Sequence, residues 1–363
     1  MCDASLVFGE RAAIDCDVQH ATITQPAPGF AAPNARRSDF DVTNTVQVSS
    51  PRAVCAAIES LFVPQWPQLP AAPLRAAFEH FERLFAGEVQ GFFGVDTVYH
   101  DQQHSLDITL ALARLIVGYE RVAPPEVRLG AERALAGLLT GLFHDVGYLR
   151  RETDSQSRNG AEFTATHVSR GAAFLAEYLP TIGLEKWVPI AAQIVHFTGY
   201  ERPFNKIEVS DPRDLKLGHL IGTADMIAQM ADRCYLEKCR DRLYLEFVLG
   251  GVALPIAANG GRQVRYASGL DLLRQTPDFV AEVRAKRLDG DFGAAYHHLE
   301  VLFGGRNPYI EAIDRNVEYL RQILRSENWR LLRRNPPCFA AIPDPLANMR
   351  GLMVGYIRKA WSE

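Results

Sequence analysis

The chain has 363 residues, 47% hydrophobic and 23% charged, enough to bury a large core in one domain with an appendage or in two domains. Its 39 basic and 43 acidic side chains leave a net charge of -4, so no global positive field exists to hold a nucleic-acid polymer, and an anionic small molecule needs a local cluster of cations. The six cysteines are scattered without a CxxC pair, the N-terminus lacks a signal-peptide pattern and no run of about 18 uncharged apolar residues occurs, which points to a cytoplasmic protein with reduced thiols and no membrane partner.

Residues 1–48 are rich in Ala, Pro, Thr and Asn and lack a helical period. They read as a short non-helical N-terminal arm, with a strand or two in the alternation from Val42 to Val48. Ser50-Pro51 then supplies an N-cap and a first helical residue. Apolar residues at three- and four-residue spacing predict helices near 51–62, 72–88, 101–118, 126–144, 159–179, 185–197, 212–230, 232–249, 267–287 and 307–325. Breaks fall at Pro124-Pro125, Pro180, Pro203, Pro212, Asn259-Gly260-Gly261 and Pro336-Pro337. The expected fold is all-α: a helical bundle over residues 49–330, followed by a C-terminal tail, 331–363.

The helix predicted over 126–144 is almost wholly apolar, with Ala134, Gly137 and Gly141 allowing close approach of a neighbour. It ends in His144 and Asp145 with no lysine or arginine beside them. A buried ionised carboxylate needs a partner, and a metal ion is one. Four other histidines lie in the same part of the chain: His100 and His104 in VYHDQQHSLDIT, His167 in ATHVSRG and His196 in IVHFTGY. Asp225 faces the apolar side of its helix together with Ile221, Gly222 and Ala228, and His167 shares a stripe with Phe163 and Phe174. Imidazole and carboxylate donors without thiolate suit borderline or hard divalent ions such as Fe, Mn, Zn or Mg. Six candidate ligands, His104, His144, Asp145, His167, His196 and Asp225, exceed the need of a single ion and predict two, bridged by Asp145. Around them, Arg150, Arg170, Arg202 and Lys206 are candidate contacts for an anionic substrate, and Gln229, one turn after Asp225, for a base edge or for a ligand. The loop 198–211 is the expected lid or specificity element.

The ordered set of a His, then His-Asp, then a distant Asp, all in helical context, resembles the HD-domain superfamily of metal-dependent phosphohydrolases over about residues 72–250. YHDQQHSLDIT resembles the YHxxxHxxDxT segment of class I cyclic-nucleotide phosphodiesterases, and LFHDVGY resembles their IHDVDHPG. That resemblance implies that His104, His144, Asp145 and Asp225 hold one metal and that His100 protonates the leaving oxygen while a metal-bridging hydroxide attacks phosphorus. Gly147 and Tyr148 stand where the phosphodiesterases carry a further ligand histidine. His167 and His196 resemble the extra, second-metal histidines of HD-GYP proteins, although the GYP loop and the usual lysine after HDxG are absent, which argues against cyclic di-GMP. The same ligand order also resembles HD-fold di-iron oxygenases of the myo-inositol oxygenase type. The expectation is a phosphodiesterase acting on a small, nucleotide-like phosphoester, with the oxygenase as the alternative, and His100, one turn before a ligand, favours hydrolysis. Nothing in the sequence indicates the oligomeric state.

Overall fold

A computed structural model describes residues 36–256 and 263–362. Among these the chain is predominantly helical and has no β-strand, only the isolated bridges Phe40–Gln47 and Phe92–Arg151. No helix of the described residues is long and apolar enough to cross a membrane. Residues 1–35 of the arm, and the turn at Asn259-Gly260-Gly261, lie outside the described residues.

Residues 36–48 form turns around one carboxylate rather than a strand. Asp41 accepts the amides of Thr43, Thr45 and Val46 at 2.8 to 3.1 Å, N–H groups that a strand would give to a neighbour. Its Oδ2 also pairs with Arg114 at 2.8 Å, and Arg36 donates to the Ala231 carbonyl, so this segment is tied to two core helices. Burial by itself raises the Asp41 carboxyl, but Arg114 and the hydrogen bonds from Thr43 and Val46 outweigh it and hold it at about 2.

Helix α1 (Pro51–Gln65) starts as expected, with Ser50 accepting from the Ala53 amide, and packs on α2 (Ala72–Ala86). Helix α3 (Gln102–Val122) is capped by Asp101 and, apart from Asp107, is buried from Gln103 to Glu120. It is the axis of the fold. Helix α4 (Ala131–Leu142) is shorter than the predicted 126–144, because Gly130 turns with φ 74° after a single 3-10 turn, and the helix stops before His144. Gly137 and Gly141 let α4 approach its neighbours: a methyl group would stand 2.4 Å from Leu217 at the first and 2.4 Å from Leu112 of α3 at the second.

The predicted 159–179 helix divides into a 3-10 turn, Gly160–Phe163, and α5 (His167–Tyr178). Helix α6 (Val188–Ile194) runs into a 3-10 turn, Val195–Thr198, and α7 (Pro212–Ala231) begins behind an Asp211 cap with Pro212 at its first position. Leu217 lies on α7, which packs on α3 and α4. Helices α8 (Tyr235–Lys238) and α9 (Tyr244–Leu249) are joined by π-helical Cys239–Leu243, while α10 (Gly269–Glu282) continues as π-helical Val283–Asp291 and precedes α11 (Pro308–Ser326).

The segment read as a tail is built into the fold. Phe339 donates its amide to Asp101, Ala341 donates to the Val95 carbonyl, and Arg242 reaches the Pro337 carbonyl. A final helix, α12 (Pro345–Ser362), packs on α9 and buries Met349 against Val98, Ala161 and Leu245. Gly351 and Gly355 weaken its intrinsic propensity, so that packing on α9 rather than the local sequence holds it.

Candidate metal centre

Each candidate ligand leaves the end or face of a different element. His104 projects from the first turn of α3, where its amide is fixed by Asp101. His144 and Asp145 occupy the turn that follows α4, His167 opens α5, His196 sits in the turn after α6, and Asp225 is on α7. Donor atoms of two overlapping groups, His100 with His104 and Asp145, and His104 with His144 and Asp225, all lie within 4.8 Å of one another.

Asp145 stands at the centre. Its Oδ2 is 3.1 Å from His144 Nε2 and 3.3 Å from His104 Nε2, and its Oδ1 is 3.7 Å from His167 Nε2. His104 Nε2 is also 4.0 Å from Asp225 Oδ1. The two oxygens of one carboxylate thus face different histidines.

The second nitrogen of two rings decides what the first presents. His144 Nδ1 is 2.8 Å from the Gly141 carbonyl, and His167 Nδ1 is 2.8 Å from the Thr164 carbonyl. A carbonyl only accepts, so each Nδ1 carries the proton, and in the neutral imidazole Nε2 turns a lone pair toward Asp145. Both His144 Nε2 and Asp145 Oδ2 are buried without a hydrogen-bond partner. Opposed lone pairs in a buried place demand a positive charge between them, from a proton or from a cation. The electrostatics say the same. Burial lowers the His144 imidazole, but Asp145 and Asp225 outweigh it and push it up to about 9. Burial opposes ionisation of Asp145, yet His144 and His104 hold its carboxyl well below the usual range, while burial leaves that of Asp225 raised. The donor set is nitrogen and oxygen only, and it fits one or two hard or borderline divalent ions.

His196 stands outside the two close groups. It is 1% exposed, and neither ring nitrogen has a partner. Burial, then Arg202, lowers its imidazole, with smaller contributions from Glu201, which opposes them, and His167.

His100 belongs to the centre but is anchored elsewhere. Its Nδ1 lies 2.5 Å from Glu246 Oε2, and Glu246 Oε1 accepts the amides of Val98 and Tyr99 at 2.7 and 2.6 Å. Burial pulls the His100 imidazole down, and Glu246, Asp145 and Asp225 more than offset this. Tyr148 is stacked between His100 and His167, with ring centroids 4.4 and 4.3 Å away. Glu201, from the expected lid loop, accepts the amides of Val168 and Ser169 and so caps the helix that His167 begins.

The expected substrate contacts divide. Arg150 is paired with Asp96 at 2.8 Å, and Arg170 braces the turn after Asp145 through the Gly147 and Leu149 carbonyls while pairing with Asp154. Both guanidinium groups are thereby engaged inside the protein. Arg202 and Lys206 are exposed on the 198–211 loop, and Arg202 donates to Gln193 at 3.4 Å. Gln229 supports a candidate ligand, donating to Asp225 Oδ1 at 3.3 Å while accepting from the Tyr99 hydroxyl.

Glu246, Tyr148 and Glu201 are absent from the residues that the sequence singles out. Glu246 carries a legible signal, a carboxylate alone in the apolar run Leu245 to Leu249. The roles of Tyr148 and Glu201 depend on contacts between segments that no spacing reveals. Compared with known proteins, the chain matches no family model, no curated protein and no solved structure. The reading of the centre therefore stands on the chain's own residues.

Proposed function

We propose that the protein is a metal-dependent phosphohydrolase, a phosphodiesterase acting on a small, nucleotide-like phosphoester with two divalent ions. The observation that carries this reading is the pair His144 and His167, each tied through Nδ1 to a carbonyl so that Nε2 faces a different oxygen of buried Asp145. His104, His144, Asp145 and Asp225 would hold one ion, and His167 with His196 and the other side of Asp145 the second. Ions bound there polarise phosphoryl oxygens and lower the pKa of water.

The chain's own groups supply the rest. Glu246 fixes His100 Nδ1 and leaves Nε2 free to deliver a proton to a leaving oxygen, as general acid catalysis requires. Tyr148 holds the planes of His100 and His167 by stacking. Gln229 orients Asp225.

Replacing Asp145 by Ala is expected to remove bound metal and phosphate-ester hydrolysis together, read by metal analysis and by product release from bis(p-nitrophenyl) phosphate and a nucleotide panel. An Asp145→Ala protein that turns over fully without metal overturns the reading.

One observation favours a second reading, oxygen activation at two irons. A cavity against His104, with room for about one water molecule, is lined by Tyr99, Gln103, Asp107 and Gln229, and its lysine, Lys238, is neutralised by Asp232 at 2.6 Å. Such a lining offers no unpaired lysine to a phosphate at this cavity. Turnover in the absence of oxygen separates the two readings.

A further inference from the structure

Arg150 and Arg170 are engaged with internal carboxylates, and Arg287 is placed differently. It lies in the π-helical segment Val283–Asp291, a type of helix found frequently at functional positions. Its side chain is only 12% exposed, and its Nε is buried without a partner. Nη2 donates to the Phe197 carbonyl at 3.1 Å, and the nearest carboxylate, Asp291, stands 3.9 Å from Nε. The guanidinium lies over the ring of Tyr200, 5.0 Å from its centroid, and over Phe292 at 5.1 Å.

The position of the Phe197 carbonyl connects this group to the centre. Phe197 follows His196 directly, and its oxygen presses on α7 so closely that a methyl group on Gly222 would stand 2.8 Å from it. Gly222 is three residues, about one helical turn, before Asp225 on the same face. The guanidinium is therefore at most about 12 Å from the Asp225 backbone, a span that a small ester with two anionic ends can bridge. A guanidinium held by one carbonyl and by a carboxylate only at 3.9 Å keeps capacity for an oxyanion, and its stacking on Tyr200 fixes the fork in one plane.

We infer that Arg287, covered by the exposed ring of Tyr200, anchors a second anionic group of the substrate. The substrate class is then a small phosphoester that carries a further phosphate or carboxylate. This rests on the phosphohydrolase reading.

The probes are propylphosphonate and propane-1,3-diphosphonate, which differ by one anionic end, titrated calorimetrically into the metal-loaded full chain. The wild type should bind the diphosphonate about 10- to 100-fold more tightly, the range for hydrogen bonds to charged groups. Arg287→Gln should abolish that preference while propylphosphonate affinity and metal content stay unchanged, and Arg287→Lys should keep part of it. Tyr200→Leu alters an exposed position and should weaken the diphosphonate alone by several-fold, which reads the same site if the Gln variant fails to fold. A preference that survives in Arg287→Gln, or in Tyr200→Leu at full strength, overturns the inference and leaves the phosphohydrolase reading intact. Failure of both probes to bind the metal-loaded wild type overturns the two together.

Discussion

The carboxylate of Asp145 has one oxygen toward His144 and His104 and the other toward His167, and the surrounding carbonyls at Gly141 and Thr164 decide which nitrogens those rings present. The same logic of a fixed tautomer governs His100. Glu246 spans the His100 ring and the amides of Val98 and Tyr99, so Glu246→Gln keeps an oxygen for the amides but sets an NH2 against Nδ1. The neutral ring then carries its proton on Nε2, and His100 loses the charge stabilisation that keeps it protonated. Turnover number should fall about 10- to 100-fold, as for other groups that orient an active imidazole, with metal content unchanged and the alkaline limb of the pH profile shifted to lower pH. An unchanged profile would mean that Glu246 only holds the loop.

At the scale of elements, the centre is assembled from ends: the start of α3, the turns after α4 and α6, and the start of α5, with α7 alone giving a ligand from its interior. Short turns bring these ends together, and Gly147 shows how tightly. A methyl group at this position would stand 1.8 Å from the His167 carbonyl oxygen, a backbone atom that cannot swing aside. Gly147→Ala should therefore destabilise the protein by roughly 1 to 3 kcal/mol and displace His167. Thermal melting measures the first effect and metal titration the second, where binding of the His167-side ion should weaken more than that of the other.

Three of the candidate ligands are legible in the sequence because they break a local rule: His144 and Asp145 end an apolar helix without a counter-charge, and Asp225 sits on an apolar face. Helix existence is legible where a long segment keeps one apolar stripe, as in α10 and α11, or opens on a clear cap, as in α1, α3 and α7. Boundaries near the site were less so. His144 and His167 sit where 3-10 geometry and close backbone contacts override periodicity, and neither the π-helical turn bearing Arg287 nor α12 follows from propensity. Arg150 and Arg170 illustrate the converse. They are close in chain order to the ligands, but Asp96 and Asp154, distant or unremarked in the sequence, engage them first.

Over the whole molecule, the bundle closes around a charged interior. Residues 36–48 are locked by Asp41 and Arg114, the C-terminal segment by Asp101 and Arg242, and the His100 loop by Glu246. Buried charges of this kind are costly unless paired, and at the centre the carboxylates of Asp145 and Asp225 face imidazoles and the Gln229 amide, with no lysine or arginine paired to them among the described residues. A metal-filled centre resolves that imbalance. The most direct measurement is an anomalous difference map from crystals of the purified, unchelated protein, recorded at the absorption edges of iron, zinc and manganese. Two peaks flanking the Asp145 carboxylate, one within ligand distance of His104, His144 and Asp225 and one beside His167, are the predicted result. A map without peaks, with His144 Nε2 hydrogen-bonded directly to Asp145, would contradict it.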